Sequence, residues 1–311
     1  MLIYTALSLM TNFTKHWLYL HDGKPGHLNQ LRGLSEAIAA KRPTHTSSWL
    51  DVTTLSLPEK LVARGDTFRS LKTADVIVAA GHSTHWLALF LGKQLRAHTV
   101  VVMRPSWPLT GFDSIIMPKH DALETAVAAR VHLTEGAINP LGQQNHEPSN
   151  KGLVLLGGQS KHFEWPSAQV TRQVCAIVDS QPELKWIVAD SRRSPERQLS
   201  DIYAARPSIT IQRHDTCPKG WLVEHMREAN SVWVTPDSVS MVYEALSCGA
   251  DVGLIELPPK AKNRINRSMQ AMIAEGKVST VTQACTLRLA TDPLPRLNEA
   301  ETAATWLLSR V

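Results

Sequence analysis

Thr235-Pro-Asp-Ser-Val-Ser-Met-Val-Tyr-Glu-Ala-Leu-Ser-Cys-Gly-Ala250 lies between two apolar runs, Ser231-Val-Trp-Val234 before it and Val252-Gly-Leu-Ile255 after it. A strand-like run, small hydroxylated residues around an aspartate, an amphipathic helical pattern and a second strand-like run together describe a βαβ unit. In open parallel sheets ligands sit beyond the carboxyl ends of the strands, and the unpaired N–H groups at a helix start favour a phosphate. Asp237 or Ser238 is expected to cap this helix, leaving Ser240 and the first-turn amides for the ligand. Glu244 follows along the helix, where its carboxylate can accept hydrogen bonds from a diol such as a ribose. An ordinary helix cap with Glu244 on a solvated face accounts for the same letters.

Working outward, the same alternation fills the chain. His16-Trp-Leu-Tyr-Leu20, Asp75-Val-Ile-Val-Ala79, Thr99-Val-Val-Val-Met103 and Ser114-Ile-Ile-Met117 read as strands, with helices over Leu28 to Ala40 and Trp86 to Leu95. Continuous apolar runs of this kind suit parallel strands buried on both faces. Between Asn139 and Lys151 the composition shifts to Pro, Gly, Gln, Asn and Ser, which marks a linker. The pattern then restarts with strands at Gly152 to Leu156, Lys185 to Ala189 and Ser208 to Ile211, and helices at Ala168 to Asp179 and Trp221 to Ala229. The expected fold class is α/β, with two Rossmann-like, doubly wound halves facing a central cleft. Residues 1–140 form the first half, 141–151 the linker and 152–296 the second half. A last helix within 297–311 packs back on the first half. Residues 1–14 read as a ragged extension, with Met10 as an alternative start.

Composition sets the frame. The chain has 311 residues, 43% hydrophobic and 20% charged, so it carries ample material for buried cores and is not expected to be disordered. Its formal charge of +5 favours anionic partners: nucleotide phosphates, an acidic glycolipid, or an anionic membrane touched peripherally. No dense Lys/Arg stripe interleaved with aromatics appears, so nucleic acid is not an expected partner. The four cysteines are scattered without a C-x-x-C pair, and Cys175 and Cys248 fall in helical patterns as small core residues; a reducing cytosol fits. No apolar run reaches the roughly 20 residues that span a bilayer.

Several loops follow strands and so open onto one edge. Asp22-Gly-Lys-Pro-Gly-His27 places two glycines beside Asp22, Lys24 and His27, and Gly81-His-Ser-Thr-His85 adds His82 and His85. Arg104, after the strand ending at Met103, can hold a phosphate or carboxylate. In the second half Gly157-Gly158-x-Ser160-Lys161 can form an anion-binding nest, and Ser191-Arg192-Arg193 brings two guanidinium groups suited to phosphate. Structural turns and solvated basic loops remain open readings for each. P-loop, G-x-G-x-x-G, G-x-S-x-G and H-E-x-x-H patterns are absent, and no metal ligand set or other cofactor is indicated.

These motifs, taken in order with Asn29-Gln30, Thr84-His85, Met103-Arg104-Pro105-Ser106, His162-Phe163 and Asp237-Ser238-Val239-Ser240-Met241, resemble the mitochondrial fission ELM1 family of plants and its bacterial members, from about Lys15 to about Gly276. That family is similar in turn to GT-B glycosyltransferases such as the peptidoglycan transferase of the lipid II pathway. The resemblance implies a second half that binds a nucleoside diphosphate sugar, UDP-linked as a first choice, and a first half that binds the acceptor. It implies that Glu244 holds ribose and that Ser238 to Met241 lie beneath the diphosphate.

The resulting expectation is a metal-independent, cytoplasmic GT-B-type glycosyltransferase, in peripheral contact with the inner membrane, acting on an envelope glycolipid or polysaccharide precursor. His27, Asp22 or His82 supplies the catalytic base. Gly157, Gly158, Ser160, Lys161, Ser191, Arg192, Arg193, Asp237, Ser238, Ser240, Met241 and Glu244 bind the donor. Lys24, Gly26, Asn29, His85 and Arg104 meet the acceptor. The alternatives are a nucleotide-sugar epimerase and a non-catalytic membrane adaptor.

Overall fold

The computed structural model describes residues 14–56, 59, 73–106, 111–122, 129–143, 145–260, 264–286 and 296–311. Two six-stranded sheets carry the chain. The first contains β1 (His16–His21), β2 (Thr46–Asp51), β3 (Val76–Ala80), β4 (His98–Val102), β5 (Ser114–Pro118) and β6 (Val131–Thr134), in the order β2-β1-β3-β4-β5-β6. The second contains β7 (Lys151–Leu155), β8 (Lys185–Ala189), β9 (Thr210–Gln212), β10 (Ala229–Val234), β11 (Asp251–Leu254) and β12 (Ser279–Thr280), in the order β12-β11-β10-β7-β8-β9. Every pairing within both sheets is parallel. Among the described residues the helices are α1 (Pro25–Lys41), α2 (His85–Leu95), α3 (Ser167–Ser180), α4 (Gln198–Ala205), α5 (Trp221–Glu228), α6 (Val239–Cys248), α7 (Arg264–Ala274), α8 (Val281–Thr286) and α9 (Glu299–Leu308).

The apolar runs became strands because parallel strands covered by helices on both faces must bury every side chain. All five residues of β3 and all five of β5 are buried. Each buried Val, Leu or Ile contributes on the order of 1.5–3 kcal/mol, so these runs fix the sheet. Both halves of the expected doubly wound α/β architecture are present, with element ends displaced by up to three residues. β2 escaped sequence reading because it lies at the sheet edge and buries only Leu50 of its six residues. Of the expected amino-terminal extension, all but Thr14 lies outside the described residues.

The chain passes between the sheets twice. Ile138 belongs to the core of the first sheet and Leu141 to that of the second, with a 3-10 turn over Pro140–Gln143 at the passage. On the return, Leu297 packs against the second core, while Ala300, Ala303, Ala304 and Leu307 of α9 are buried with Trp17, Leu31 and Leu34 in the first. The alanine-rich face lets α9 lie close to α1. The Asn298 side chain accepts from the Glu301 amide at 3.2 Å and fixes where α9 starts. Cys248 is buried in the apolar core of the second sheet, and Cys175 is buried on α3 near the Arg206–Asp179 ion pair.

Strand order locates the cleft. The sequence-order direction reverses between β1 and β3 in the first sheet and between β7 and β10 in the second. Helices that leave such neighbouring strands in opposite directions open a crevice at the carboxyl edge. The loops at both reversals carry Asp22, His27 and His82 on the first sheet and Gly157 to Lys161 and Asp237 to Ser240 on the second, while Arg104 and Ser191 to Arg193 follow the adjacent strands β4 and β8.

Candidate functional site

At the carboxyl end of β1, Asp22 sits with its side chain only 5% exposed, and its Oδ1 lies 2.7 Å from Nδ1 of His27. The loop returns so sharply because Pro25 opens α1 with its fixed φ, which brings His27 back over Asp22. Burial pushes the Asp22 carboxyl up, but the His27 and Lys24 contacts outweigh it and hold the group below its ordinary value. Asp22 is therefore a carboxylate at neutral pH. With that partner the Nδ1–H of His27 donates, which leaves Nε2 with a free lone pair for a proton. Gly81, at the end of β3, closes over this pair with φ +99°; a Cβ there would stand 2.6 Å from Asp22 Oδ2 and 2.7 Å from His27 Nδ1. Only glycine fits.

His82 is exposed beside this pair, and its ring meets that of His85 edge-on at 5.8 Å. His85 itself is 3% exposed and packs against Phe112, and burial, aided by His82 and His27, pushes it down to about 4. The expectation that His85 meets an acceptor gives way to a neutral histidine in the wall behind the loop. Lys24 and Arg104 are exposed, and the position of a Gly26 Cβ has open space around it. Arg104 follows Met103, a non-glycine residue held at φ +78° where β4 ends. Such left-handed backbone is costly and concentrates at ligand-binding loops.

On the second sheet the structure revises the expected nest. The Gly157 N–H donates to Thr235 Oγ1 at 2.7 Å, and the Gly158 N–H to Asp237 Oδ2 at 3.0 Å. A hydroxyl and a carboxylate from the turn after β10 thus fill the nest. Asp237 is fully buried there and pairs with Arg193 Nη1 at 2.8 Å. Burial pushes the Asp237 carboxyl up, against the pull of Thr235, Arg193 and the Gly158 amide. Asp237 accordingly does not cap α6. The turn after β10 aims it back at the neighbouring strand β7, and Ser238 takes the cap position without a side-chain capping bond.

The remaining residues of that edge divide between scaffold and surface. Ser191 donates to the Gly157 carbonyl, Ser194 donates to the same oxygen at 2.6 Å, and Gly158 (φ +147°) lies flat on the Arg193–Ser194 peptide. The Ser160 hydroxyl accepts the amides of His162 and Phe163 at 3.2 and 3.1 Å. Met241 packs against the core. Ser240, Lys161 and Arg192 are exposed, and Arg193 keeps 42% of its side chain in solvent. The anion-facing set therefore shrinks to the start of α6, Lys161, Arg192 and the outer part of Arg193.

Two rungs join α1 to α6. Asn29 of α1 stands beside Glu244 of α6, close enough for its side chain to favour the Glu244 carboxylate. One turn further along α1, Gly33 lies against the main chain of Asn139, close enough that a Cβ would be 2.5 Å from its carbonyl carbon; Asn139 Nδ2 donates in turn to Ser247 Oγ of α6 at 3.0 Å. Residue numbers rise together along both helices, so α1 and α6 run in the same sense and aim their N-terminal turns at the same region. Sequence reading missed Gly33, Asn139 and Ser247, whose types carry no chemical signal. Their role exists only where the two sheets meet. Glu244, enclosed at this contact, is pushed up to about 7 by burial, with Asn29 pulling the other way. Among the described residues no group of three or more His, Cys, Asp or Glu is placed to hold a metal ion.

The mitochondrial fission ELM1 profile matches residues 25–311. The chain belongs to the mitochondrial fission ELM1 family. A relative of this ELM1-family chain, the uncharacterized protein RP120 of Rickettsia prowazekii (strain Madrid E), is 25% identical over 74% of this chain and 78% of its own length. Among solved structures, a putative UDP-N-acetylglucosamine 2-epimerase of Listeria monocytogenes is similar with a TM-score of 0.64 at 13% identity, covering 95% of each chain. The UDP-GlcNAc 2-epimerase of Methanocaldococcus jannaschii, in complex with UDP-GlcNAc and UDP, is similar with a TM-score of 0.52 at 10% identity, over 95% of this chain and 99% of that one. At these identities the likeness establishes the GT-B fold of the ELM1-family chain. No helix among the described residues is long and apolar enough to cross a membrane.

Proposed function

We propose that this protein is a GT-B-type glycosyltransferase that moves a sugar from a nucleoside diphosphate sugar, UDP-linked as a first choice, to a hydroxyl of an envelope glycolipid or polysaccharide precursor. The observation that carries the reading is the juxtaposition across one cleft of the Asp22–His27 pair and the uncapped start of α6, with α1 and α6 tied by Asn29 and Glu244. Each half of that arrangement matches one need of glycosyl transfer.

On the donor side, the first-turn amides of α6, with Arg192, Arg193 and Lys161 nearby, meet the diphosphate. As the glycosidic bond breaks, negative charge grows on the departing diphosphate, and fixed amides and guanidinium groups stabilise it without a metal. Glu244 accepts hydrogen bonds from the ribose hydroxyls. On the acceptor side, Nε2 of His27 takes the proton of the attacking hydroxyl, and Asp22 stabilises the imidazolium that forms. Proximity of the lobes excludes water, which would otherwise consume the donor. Residence in the cytoplasm with peripheral contact at an anionic membrane fits such an acceptor and the positive net charge.

A nucleotide-sugar epimerase is the second reading, supported by the names of the similar solved structures over nearly the full chain. It uses the same donor site without an acceptor. Calorimetry with UDP, GDP, CMP and ADP species tests both readings: saturable binding of one nucleotide, weakened in Arg192→Ala, is expected, and no binding across the set removes both. Isomerised sugar formed with no acceptor present selects the epimerase.

A further inference from the structure

Trp49 of the edge strand β2 leaves 40% of its surface in solvent, although a large aromatic side chain ordinarily seeks burial. Its ring is nevertheless held in place. It stacks on Tyr19 of β1 with centroids 4.5 Å apart and planes 17° from parallel, and Tyr19 is fully buried beneath it. One indole face is therefore taken, and the exposed area lies on the other face and the ring edge. Parallel register sets Trp49 beside Tyr19 and Asp51 beside His21, and the two-residue period of a strand puts all four on one face of the sheet.

The polar neighbours of that indole form a complementary pair. The His21 ring centroid lies 6.3 Å from that of Trp49, and its Nδ1 accepts the Gly23 N–H at 3.3 Å, so the ring proton sits on Nε2 and is left to donate outward. Asp51 Oδ1 accepts the hydroxyl and the amide of Thr53 at 2.6 and 2.8 Å, and these bonds hold the carboxyl below its ordinary value. Its Oδ2 stands 4.0 Å from His21 Nδ1 and accepts no hydrogen bond among the described residues. An aromatic face with an acceptor and a donor beside it suits a sugar ring, whose C–H face packs on an indole and whose hydroxyls both donate and accept. The patch is continuous with the Asp22–His27 pair. Gly23 follows Asp22 at φ +73°, and a Cβ on it would stand 3.5 Å from Asp51 Oδ2.

We propose that Trp49, His21 and Asp51 form an acceptor subsite that holds a neutral pyranose ring, the neighbour of the sugar whose hydroxyl meets His27. The subsite presupposes the acceptor half of the glycosyltransferase reading and narrows the acceptor to a saccharide of at least two rings. The indole supplies affinity by covering one ring face. Asp51 Oδ2 and His21 Nε2 choose among sugars by the orientation of the hydroxyls they meet. A lipid chain laid on the same patch would leave both polar groups unpaired, and a sugar acid would face the carboxylate of Asp51 with that of Asp22 nearby, so both are disfavoured there.

Retention of the full chain on an array of immobilised neutral oligosaccharides, with and without saturating UDP, tests the subsite. The wild type should be retained by a defined subset of sugars. Trp49→Ala should weaken that retention at least tenfold, and Trp49→Phe should restore part of it. Asp51→Asn, which keeps an oxygen for Thr53 and leaves the stack untouched, should change which sugars are retained. Tyr203→Ala removes an exposed ring from the second lobe and should bind as the wild type does. Circular dichroism checks that each variant is folded. No retention in either condition, or retention by Trp49→Ala and Asp51→Asn equal to that of the wild type, refutes the subsite. Sugar retention lost in Trp49→Ala, in a protein that binds no nucleotide, would sink the donor half of the proposed function and leave this subsite standing.

Discussion

Asn29 of α1 faces Glu244 of α6 across the cleft, one helical turn from the point where Asn139, packed on Gly33 of α1, reaches Ser247 of α6. The contact joins the helix that carries His27 to the helix whose start faces the proposed diphosphate. A ribose held by Glu244, as proposed above, would thereby be felt by α1, and the lobe arrangement is felt by Glu244.

That enclosure gives Glu244 a pH signature. Burial pushes its folded carboxyl up to about 7 from the ordinary 4.5, so between these limits the native state binds more protons than the unfolded chain. Stability therefore falls as pH rises from about 4.5 to 7 and levels off above. The shift sets an upper figure of about 3 kcal/mol, which solvent in the open cleft reduces to roughly 1–2 kcal/mol. Glu244→Gln should remove this slope and be more stable than the wild type at pH 8, as denaturant unfolding at several pH values will show. Nucleotide affinity should rise with pH through 7 in the wild type and stay flat in the variant, because only the carboxylate makes charge-assisted bonds to a diol.

The Asp22–His27 pair predicts a separation of binding from turnover. His27→Ala should lower transfer by about 10²–10⁴-fold while leaving nucleotide affinity within a factor of a few. Asp22→Asn should cost a similar amount, since the amide no longer holds Nδ1–H toward itself and Nε2 loses its lone pair to the other tautomer. Steady-state rates alongside nucleotide titrations check both. Equal loss of binding and turnover would mean that these residues shape the cleft instead of moving a proton.

Arg193 and Asp237 should behave as a structural couple. Arg193→Ala strands a fully buried carboxylate beneath the Gly157–Gly158 turn and should destabilise the protein by about 2–4 kcal/mol. Asp237→Asn removes the charge that needs neutralising, so the double variant should lose less than the sum of the singles. Thermal unfolding of the full double-mutant cycle measures that coupling.

Gly81→Ala should damage both stability and activity. The added methyl meets a positive φ and the Asp22–His27 pair at once, at a cost of about 1–3 kcal/mol. Transfer should fall further than stability loss explains, because the only relief is to push the pair apart. Comparison with Gly26→Ala, where a methyl enters open space, controls for a generic effect of substituting glycine in this edge.

Much of the candidate site's placement was legible before the fold. Asp22, His27 and Gly81 stand after apolar runs, and a residue following a parallel strand can lie only on the carboxyl edge. Glu244 was legible because helical spacing carries it along from the start of α6. Asp237 misled for a physical reason: capping propensity describes what an aspartate does to its own helix, whereas here a neighbouring strand end offers the Gly158 amide and the Arg193 guanidinium. His85 misled similarly, since histidine in a loop carries no mark of which way the backbone turns it.

Local periodicity by itself determined that this chain alternates buried strands with helices and turns its chemistry-bearing loops to one edge, because backbone hydrogen bonding and side-chain burial leave few other solutions for such runs. Only the tertiary structure decided which amides remained for a ligand and that Glu244 would meet Asn29. Those outcomes depend on contacts between residues far apart in the chain, whose energies vanish when the two sheets are considered separately.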